Sequence, residues 1–175
     1  ADAKVYCWGY DVDGQLGRDR KIDTMVPVKT ETSGTLAGKG VADIDAGSDH
    51  ACVVADGGIY CWGNNWSGQL GSTTRNTSVP VAVDTSGVLA GKTATQVSSG
   101  DSHTCAVAGS KAFCWGYAGS FDEDAPLGDG SWDGSPVPVA VDTSGVLAGK
   151  TVTGVSAGSG HTCAVAEGKA YCWGN

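Results

Sequence analysis

One pattern occurs three times in the sequence and constrains the fold more than any other. It contains a histidine, a cysteine two positions later, a short apolar run, two turn residues, a second apolar run and a Cys-Trp-Gly triplet, and it spans residues 50–64, 103–117 and 161–175. Its second half occurs once more at residues 4–10. Two short apolar runs joined by two turn residues are typical of a tight β-hairpin. The sequence therefore predicts three hairpins and one additional hairpin strand.

The two-residue turns determine which residues face each other. Folding each copy about its turn pairs the two cysteines of that copy, which gives Cys52 with Cys61, Cys105 with Cys114 and Cys163 with Cys172. These pairs fall on non-hydrogen-bonded rungs, where Cα atoms are about 4.5 Å apart and a disulfide can form. Buried free thiols or a metal site are the alternatives, although the spacing of the cysteines is unlike that of zinc ligands. We expect three disulfides, with Cys7 unpaired.

Both faces of each hairpin are apolar. In the first copy, one face carries Cys52, Val54, Ile59 and Cys61, and on the other face small residues oppose Tyr60 and Trp62. A strand that is apolar on both faces is buried on both faces. We therefore expect each hairpin to lie between two neighbouring sheets.

The repeat length indicates how such hairpins are assembled. The Cys-Trp-Gly triplets are 54, 53 and 58 positions apart, and each interval also contains a Gly-Gln-Leu-Gly or related turn, a Val-Pro-Val strand and one more alternating strand. Four strands per repeat predict an all-β fold of antiparallel four-stranded β-propeller blades. Residues 1–10 form the second hairpin strand of a preceding incomplete repeat, and residues 11–64, 65–117 and 118–175 form repeats one to three. Because three blades cannot close a ring, we expect them to belong to a larger propeller of six or seven blades, within a longer polypeptide.

Charge and cysteine content exclude some functions. A net charge of −8 and a pI near 4.6 argue against binding to nucleic acid or to an anionic membrane surface. No apolar run is long enough to cross a membrane as a helix, so we expect no membrane insertion. Three cysteine pairs favour an oxidising compartment, which predicts an extracellular or cell-surface location.

Several residues resemble catalytic or ligand sites. His50, His103 and His161 occupy the same repeat position, so we expect them to make structural hydrogen bonds. The segments 87–93 and 145–151 resemble a phosphate-binding loop but have three residues between the glycines instead of four. No catalytic set stands apart from the repeats, so we expect a protein that is not an enzyme and has no cofactor.

Acidic loop residues offer a weaker hint of metal binding. Asp11 and Asp13, and the group around Asp122, supply the oxygen ligands that calcium takes, but neither set matches a complete calcium loop. We therefore assign no metal ligand and keep calcium as a minor alternative. Asn65 and Asn76 lie in Asn-X-Ser patterns, which matter only where N-glycosylation takes place.

The third repeat has a longer loop after its Cys-Trp-Gly triplet. The interval from that tryptophan to the Val-Pro-Val proline is 23 positions in the third repeat, against 19 and 18 in the first two. An aromatic side chain beside acidic groups is a common composition for a contact site. We predict that this loop binds a partner through Phe121, Asp122, Glu123, Asp124, Trp132 and Asp133.

The repeat resembles that of the regulator of chromosome condensation family. The resemblance rests on Val-Ser-Ala-Gly-x-x-His-Thr-Cys-Ala-Val, on Gly-Lys-Ala-Tyr-Cys-Trp-Gly-Asn and on Gly-Gln-Leu-Gly, and it covers essentially the whole chain. It implies a β-propeller, and the cysteine-rich form is similar to repeats in large exported or surface proteins of bacteria. We expect an exported, non-enzymatic binding or structural module whose partner is another protein or further repeats of the same polypeptide. The alternatives are a guanine-nucleotide exchange factor or chromatin-binding propeller, and a protein inhibitor of a secreted enzyme.

Overall fold

The computed structural model describes residues 4–117 and 125–175, and the regular elements in these ranges are β-strands. None of the described segments is a helix that could cross a membrane. In chain order the strands are β1 (Tyr6–Gly9), β2 (Thr24–Lys29), β3 (Val41–Ala46), β4 (His50–Ala55), β5 (Gly58–Gly63), β6 (Thr77–Ala82), β7 (Ala94–Ser99), β8 (His103–Ala108), β9 (Lys111–Gly116), β10 (Ser135–Ala140), β11 (Val152–Ala157), β12 (His161–Ala166) and β13 (Lys169–Gly174).

The strands form four antiparallel sheets that follow the chain order. Strands β1 and β2 form a half-blade, β3 to β6 the first blade, β7 to β10 the second blade, and β11 to β13 a three-stranded third blade. The predicted all-β architecture of four-stranded antiparallel blades is confirmed, and the chain forms about three blades of a propeller.

The hairpins have the register that the sequence predicts. Cys52 faces Cys61 in the first blade, and the two are joined by a disulfide with a Cα–Cα distance of 4.1 Å. The corresponding disulfides are Cys105–Cys114 and Cys163–Cys172, each with a Cα–Cα distance of 4.0 Å. At the first turn Asp56 and Gly57 both have positive φ, 48° and 77°, as the type I′ turn of a two-residue hairpin requires.

The sheets and the sequence repeats differ in phase. The Val-Pro-Val strand that opens each repeat pairs with the hairpin of the repeat before it, so one repeat contributes strands to two sheets. These strands, β2, β6 and β10, lie at the outer edge of their sheets, where a proline without an N–H is tolerated. The division into repeats at residues 11–64, 65–117 and 118–175 remains a prediction about the sequence.

The hydrophobic core lies between neighbouring blades. One cluster joins the disulfide face of the first blade, including Val54 and Ile59, to Phe113 and Trp115 of the second blade. A second cluster joins the Cys105–Cys114 face of the second blade to Tyr171 and Trp173 of the third. Each internal hairpin is therefore covered on both faces, as its two apolar faces predict.

Side chains on the first strands of the first and second blades bind the backbone of the next blade. The Asp43 carboxylate accepts a hydrogen bond from Val97 N–H at 2.9 Å, and the Asp45 carboxylate accepts one from Ser99 N–H at 2.6 Å. Gln96 and Ser98 of β7 make the same kind of contact with β11. Polar side chains of the first strands, which we call the inner strands, thus connect neighbouring sheets. These sheets share no ladder of backbone hydrogen bonds.

Candidate binding surface at the loop end of the blades

Two sets of loops lie at the same end of the blades, because alternate strands of an antiparallel sheet run in opposite directions. The short loops 47–49, 100–102 and 158–160 join the first and second strands of each blade. The long loops 10–23, 64–76 and 117–134 join the third and fourth strands, with residues 118–124 outside the described part. We refer to this side as the loop end.

Each long loop contributes one backbone carbonyl group that accepts a hydrogen bond from a tryptophan of the next blade. The carbonyl oxygen of Gln69 accepts hydrogen bonds from Trp115 Nε1 at 2.9 Å and from the Thr104 hydroxyl at 2.8 Å. Because the Thr104 hydroxyl uses its hydrogen for that bond, it accepts from His50 Nε2, 2.7 Å away. The four groups form a buried network that joins the first blade to the second.

The same network joins the second blade to the third. The carbonyl oxygen of Pro126 accepts from Trp173 Nε1 at 3.0 Å and from the Thr162 hydroxyl at 2.8 Å, and His103 Nε2 lies 2.9 Å from that hydroxyl. Because the same hydrogen bonds occur at both interfaces, we attribute them to the scaffold. These contacts give His50 and His103 a structural role at the blade interfaces.

Burial keeps these two histidines neutral. Desolvation, with a smaller contribution from the nearby His103, lowers the pKa of His50 to about 3. Desolvation lowers the pKa of His103 to about 4, partly offset by Asp101. His161, at the third equivalent position, is exposed. A buried imidazole that stays neutral is suited to holding an interface.

Asp11 and Asp13, which were suggested for calcium, have structural partners, while Asp122 and its acidic neighbours Glu123 and Asp124 lie outside the described residues. The buried Asp11 carboxylate accepts hydrogen bonds from the N–H groups of Leu16 and Ile22 and lies 3.4 Å from Arg18 Nη2. Asp13 accepts a hydrogen bond from Asn76 Nδ2. Within residues 4–117 and 125–175, no three acidic, histidine or cysteine side chains gather as a metal site. Asp11 therefore orders its own loop.

The asparagines in glycosylation patterns also hold loops in place. Asn65, at the position equivalent to Asp11, accepts from Leu70 N–H at 2.8 Å and donates through Nδ2 to the carbonyl groups of Ser72 and Thr74. Its amide nitrogen is thus committed to hydrogen bonds within the loop.

The segment that resembles a phosphate-binding loop is a connector between blades. Residues 87–90 form a turn in which Ala90 N–H donates to the Gly87 carbonyl group at 3.0 Å, and the segment continues into β7. A phosphate-binding loop continues into a helix, whose N-terminus helps to bind the anion. The geometry supplies no such anion site here.

The predicted recognition loop is only partly within the described structure. Phe121, Asp122, Glu123 and Asp124 lie outside the described residues. Trp132 is 57% exposed and Asp133 is exposed, both on the long loop of the second blade. The predicted aromatic contact residue Trp132 is therefore accessible at the loop end.

Sequence reasoning missed a more exposed aromatic residue. Trp66 is 86% exposed on the long loop of the first blade, at the position where the preceding long loop carries Val12. Its backbone N–H donates to Asn64 Oδ1 at 2.9 Å, so the loop backbone beside it is fixed. The signal available in the sequence was a tryptophan at a position that differs between repeats. Trp66 and Trp132 lie on adjacent long loops at the loop end of the blades.

Comparison with known proteins agrees with the blade architecture. A model for the regulator of chromosome condensation (RCC1) repeat matches residues 2–54 and 56–107, and a second model of the same description matches residues 41–69. The chain belongs to the RCC1 repeat family. The structure of human WBSCR16 superposes with a TM-score of 0.80 at 26% identity, covering 99% of this chain and 43% of that protein.

The relatives of this chain include proteins that differ in function. The human E3 ubiquitin-protein ligase HERC2 is 34% identical over 181 residues, which cover 99% of this chain and 4% of that protein. The human RCC1-like G exchanging factor-like protein is 35% identical over 123 residues, or 65% of this chain and 24% of that protein. The chain spans less than half the length of each of these proteins.

Proposed function

We propose that this chain is a non-enzymatic RCC1-repeat scaffold that binds a protein partner through its loop end. The observation that carries the proposal is the pair of exposed tryptophans, Trp66 and Trp132, on adjacent long loops. Exposed tryptophan contributes more binding free energy at interfaces than most residues. Their loops are attached to rigid blades, which lowers the entropy lost on binding.

The polar groups near this surface favour binding over catalysis. His50 and His103 are buried and neutral, and Asp11 and Asn65 are used within their loops. The segment 121–124 adds three acidic residues and Phe121 to the same long loop as Trp132. A partner with basic and apolar residues would fit this composition.

We further propose that the module works outside the cytosol, at the cell surface or in the extracellular space. Three disulfides support this location, because such bonds persist in oxidising compartments.

Affinity capture with the wild-type chain and the Trp66→Ala/Trp132→Ala variant tests the binding surface. We expect the partner recovered with the wild type to be lost with the variant, and Phe121→Ala to weaken recovery. Trp8→Ala is the matched control, because Trp8 is exposed on β1, outside the long loops. Equal recovery with all variants, at unchanged melting temperature, would contradict the proposal.

The second candidate function is nucleotide exchange on a small GTPase. The similarity to the human G exchanging factor-like protein favours it, while the net charge of −8 argues against binding to DNA. Release of labelled GDP from a Ran-type GTPase distinguishes the two. Stimulated release would support exchange, and release at the uncatalysed rate would leave the scaffold function as the proposal.

A further inference from the structure

A small cavity lies at the loop end, where the second and third blades face each other. It has a volume of about 200 Å³, and the residues that line it include Asp101, His103, Tyr117, Pro126 and Ser159. Pockets for drug-sized ligands are larger, from about 300 Å³ upwards. The size of this cavity, which we call the junction pocket, suits a single side-chain group.

A proline at position 126 accounts for the open space. Gln15, Gln69 and Pro126 occupy equivalent positions in the three long loops. At the junction of the first and second blades the Gln69 side chain is buried, and its Nε2 donates to Asn64 Oδ1 at 3.2 Å. Pro126 has a shorter side chain without an amide, and Tyr117 stands at the position of Asn64. Neither residue of this hydrogen-bonded pair is therefore present at the second junction.

Asp101 gives the junction pocket a negative charge. It stands where the other two short loops carry Ser48 and Ser159, and its carboxylate accepts a hydrogen bond from each of these hydroxyls, at 2.7 and 2.6 Å. The bonds from Ser159 and Ser48 lower the pKa of Asp101, so the carboxyl group is ionised at neutral pH. Among the described residues no lysine or arginine forms an ion pair with it, and residues 118–124 include no basic side chain.

His103 supplies a second acceptor. Its Nε2 donates to the Thr162 hydroxyl, which itself donates to the Pro126 carbonyl oxygen, so Nδ1 of the neutral ring carries no proton. Within residues 4–117 and 125–175 this Nδ1 receives no hydrogen bond. It faces the short loop that carries Asp101, because a Cβ added at Gly100 would lie 2.9 Å from it. The lining thus offers a carboxylate and an unpaired imidazole nitrogen to a hydrogen-bond donor.

We propose that the junction pocket binds the guanidinium group of an arginine side chain from the protein partner. The inference rests on the proposed function, since it places one contact of that partner at the loop end. A guanidinium group has several N–H donors and no acceptor, and each Asp101 oxygen keeps a lone pair beside the serine bond. Its planar cation also stacks on aromatic rings, and Tyr117 lines the pocket.

An NMR titration of the isotope-labelled chain with propylguanidinium tests the pocket without any partner. We expect saturable shifts at the backbone amides of residues 100–103 and 158–160, which flank the pocket. Propylurea has nearly the same shape but no charge, so it should bind at least tenfold more weakly. Equal binding of the two probes, or shifts confined to other parts of the chain, would overturn the proposal.

Two substitutions remove the pocket in different ways. Pro126→Gln introduces the residue of the other two long loops, and its backbone carbonyl can still accept from Trp173. Asp101→Asn removes the charge and keeps an oxygen for a serine hydroxyl. Each variant should stay folded by circular dichroism and bind propylguanidinium at least tenfold more weakly. Asp49→Asn, on the short loop of the first blade, is the matched control and should bind like the wild type. Wild-type affinity in a folded pocket variant would contradict the assignment.

The same variants separate the junction pocket from the wider binding surface. Trp66→Ala/Trp132→Ala should bind propylguanidinium like the wild type, because neither tryptophan lines the pocket. In affinity capture, Asp101→Asn and Pro126→Gln should each lower recovery of the partner at least tenfold. Full recovery with these two variants, together with loss in the tryptophan variant, would overturn the arginine contact and leave the proposed function in place. Equal recovery with every variant would contradict the proposed function, and with it this contact.

Discussion

At the scale of single residues, the carbonyl oxygen of Gln69 and the groups around it explain why the histidine repeats. His50 donates to Thr104, which donates to the carbonyl oxygen, which also accepts from Trp115. The imidazole must be neutral to sit in this buried site, and Nδ1 of His50 has no partner among the described residues. A proton on that nitrogen would place a charge inside the interface.

Acid should therefore destabilise the fold through the two buried histidines. The unfolded chain binds protons at both histidines below pH 6.5, whereas the folded pKa values are about 3 for His50 and about 4 for His103. Between pH 6.5 and 4 the unfolded state holds more protons, so the free energy of unfolding falls as the pH falls. Shifts of this size correspond to a few kcal/mol, in order of magnitude. Urea unfolding between pH 7 and 4 measures the loss.

Substitution with glutamine separates the effect of histidine protonation on stability from the effect of carboxylate protonation. Glutamine can donate to Thr104 or Thr162 but does not titrate. The His50→Gln/His103→Gln variant should lose less stability than the wild type over the same pH range. An unchanged pH dependence would show that the buried histidines do not govern acid stability.

At the scale of elements, the disulfides differ in how they are covered. The Cys52–Cys61 and Cys105–Cys114 sulfurs lie in cores between blades, with all four cysteines fully buried. Cys172 is exposed and Cys163 is half-buried, because no blade packs on that face of the third hairpin among the described residues. Each disulfide closes a ten-residue loop, worth about 2.7 kcal/mol in the chain-entropy model.

The order in which the three disulfides are reduced should follow the burial of their cysteines. A mild thiol reductant should open Cys163–Cys172 first, because attack on a disulfide requires access to a sulfur atom. The two buried disulfides should be reduced only as neighbouring blades separate. Alkylation at successive times followed by peptide mass spectrometry gives the order. Equal rates at all three pairs, or free thiols before reduction, would contradict the structure.

Local patterns account for the part of the fold that the sequence predicts. Cysteine pairing follows from a two-residue turn such as Asp56-Gly57, and the edge position of Pro80 follows from its missing N–H. The bond from Trp115 to Gln69 joins residues 46 positions apart on different blades, so no local pattern indicates it. The exposure of Trp66 likewise depends on how its loop lies against the next blade.

At the scale of the whole molecule, the blades are held in order by contacts between inner strands as well as by the core. Asp45 is central to these contacts, because its carboxylate accepts from the Ser99 N–H and from the Ser98 hydroxyl. Removal of that carboxylate leaves the backbone N–H of the buried Ser99 without its acceptor. Such a loss costs about 1–3 kcal/mol.

Asp45→Ala should therefore lower the free energy of unfolding by that amount, and Asp45→Asn should lower it less because an amide oxygen can still accept. Chemical denaturation monitored by tryptophan fluorescence measures both. Asp133→Ala, on an exposed loop residue, is the matched control and should leave stability unchanged. Equal stability of Asp45→Ala and the control would show that the inner strands are held by packing alone.

The offset between repeats and sheets has a consequence for how such a chain can grow or shorten. Duplication of one sequence repeat inserts the fourth strand of one blade and the first three strands of the next. The new segment then completes one sheet and begins another that the next repeat completes in the same way, so the pairing between repeats is the same whatever the number of copies. A gene for this scaffold can thus gain or lose whole repeats by recombination without changing how neighbouring repeats pair.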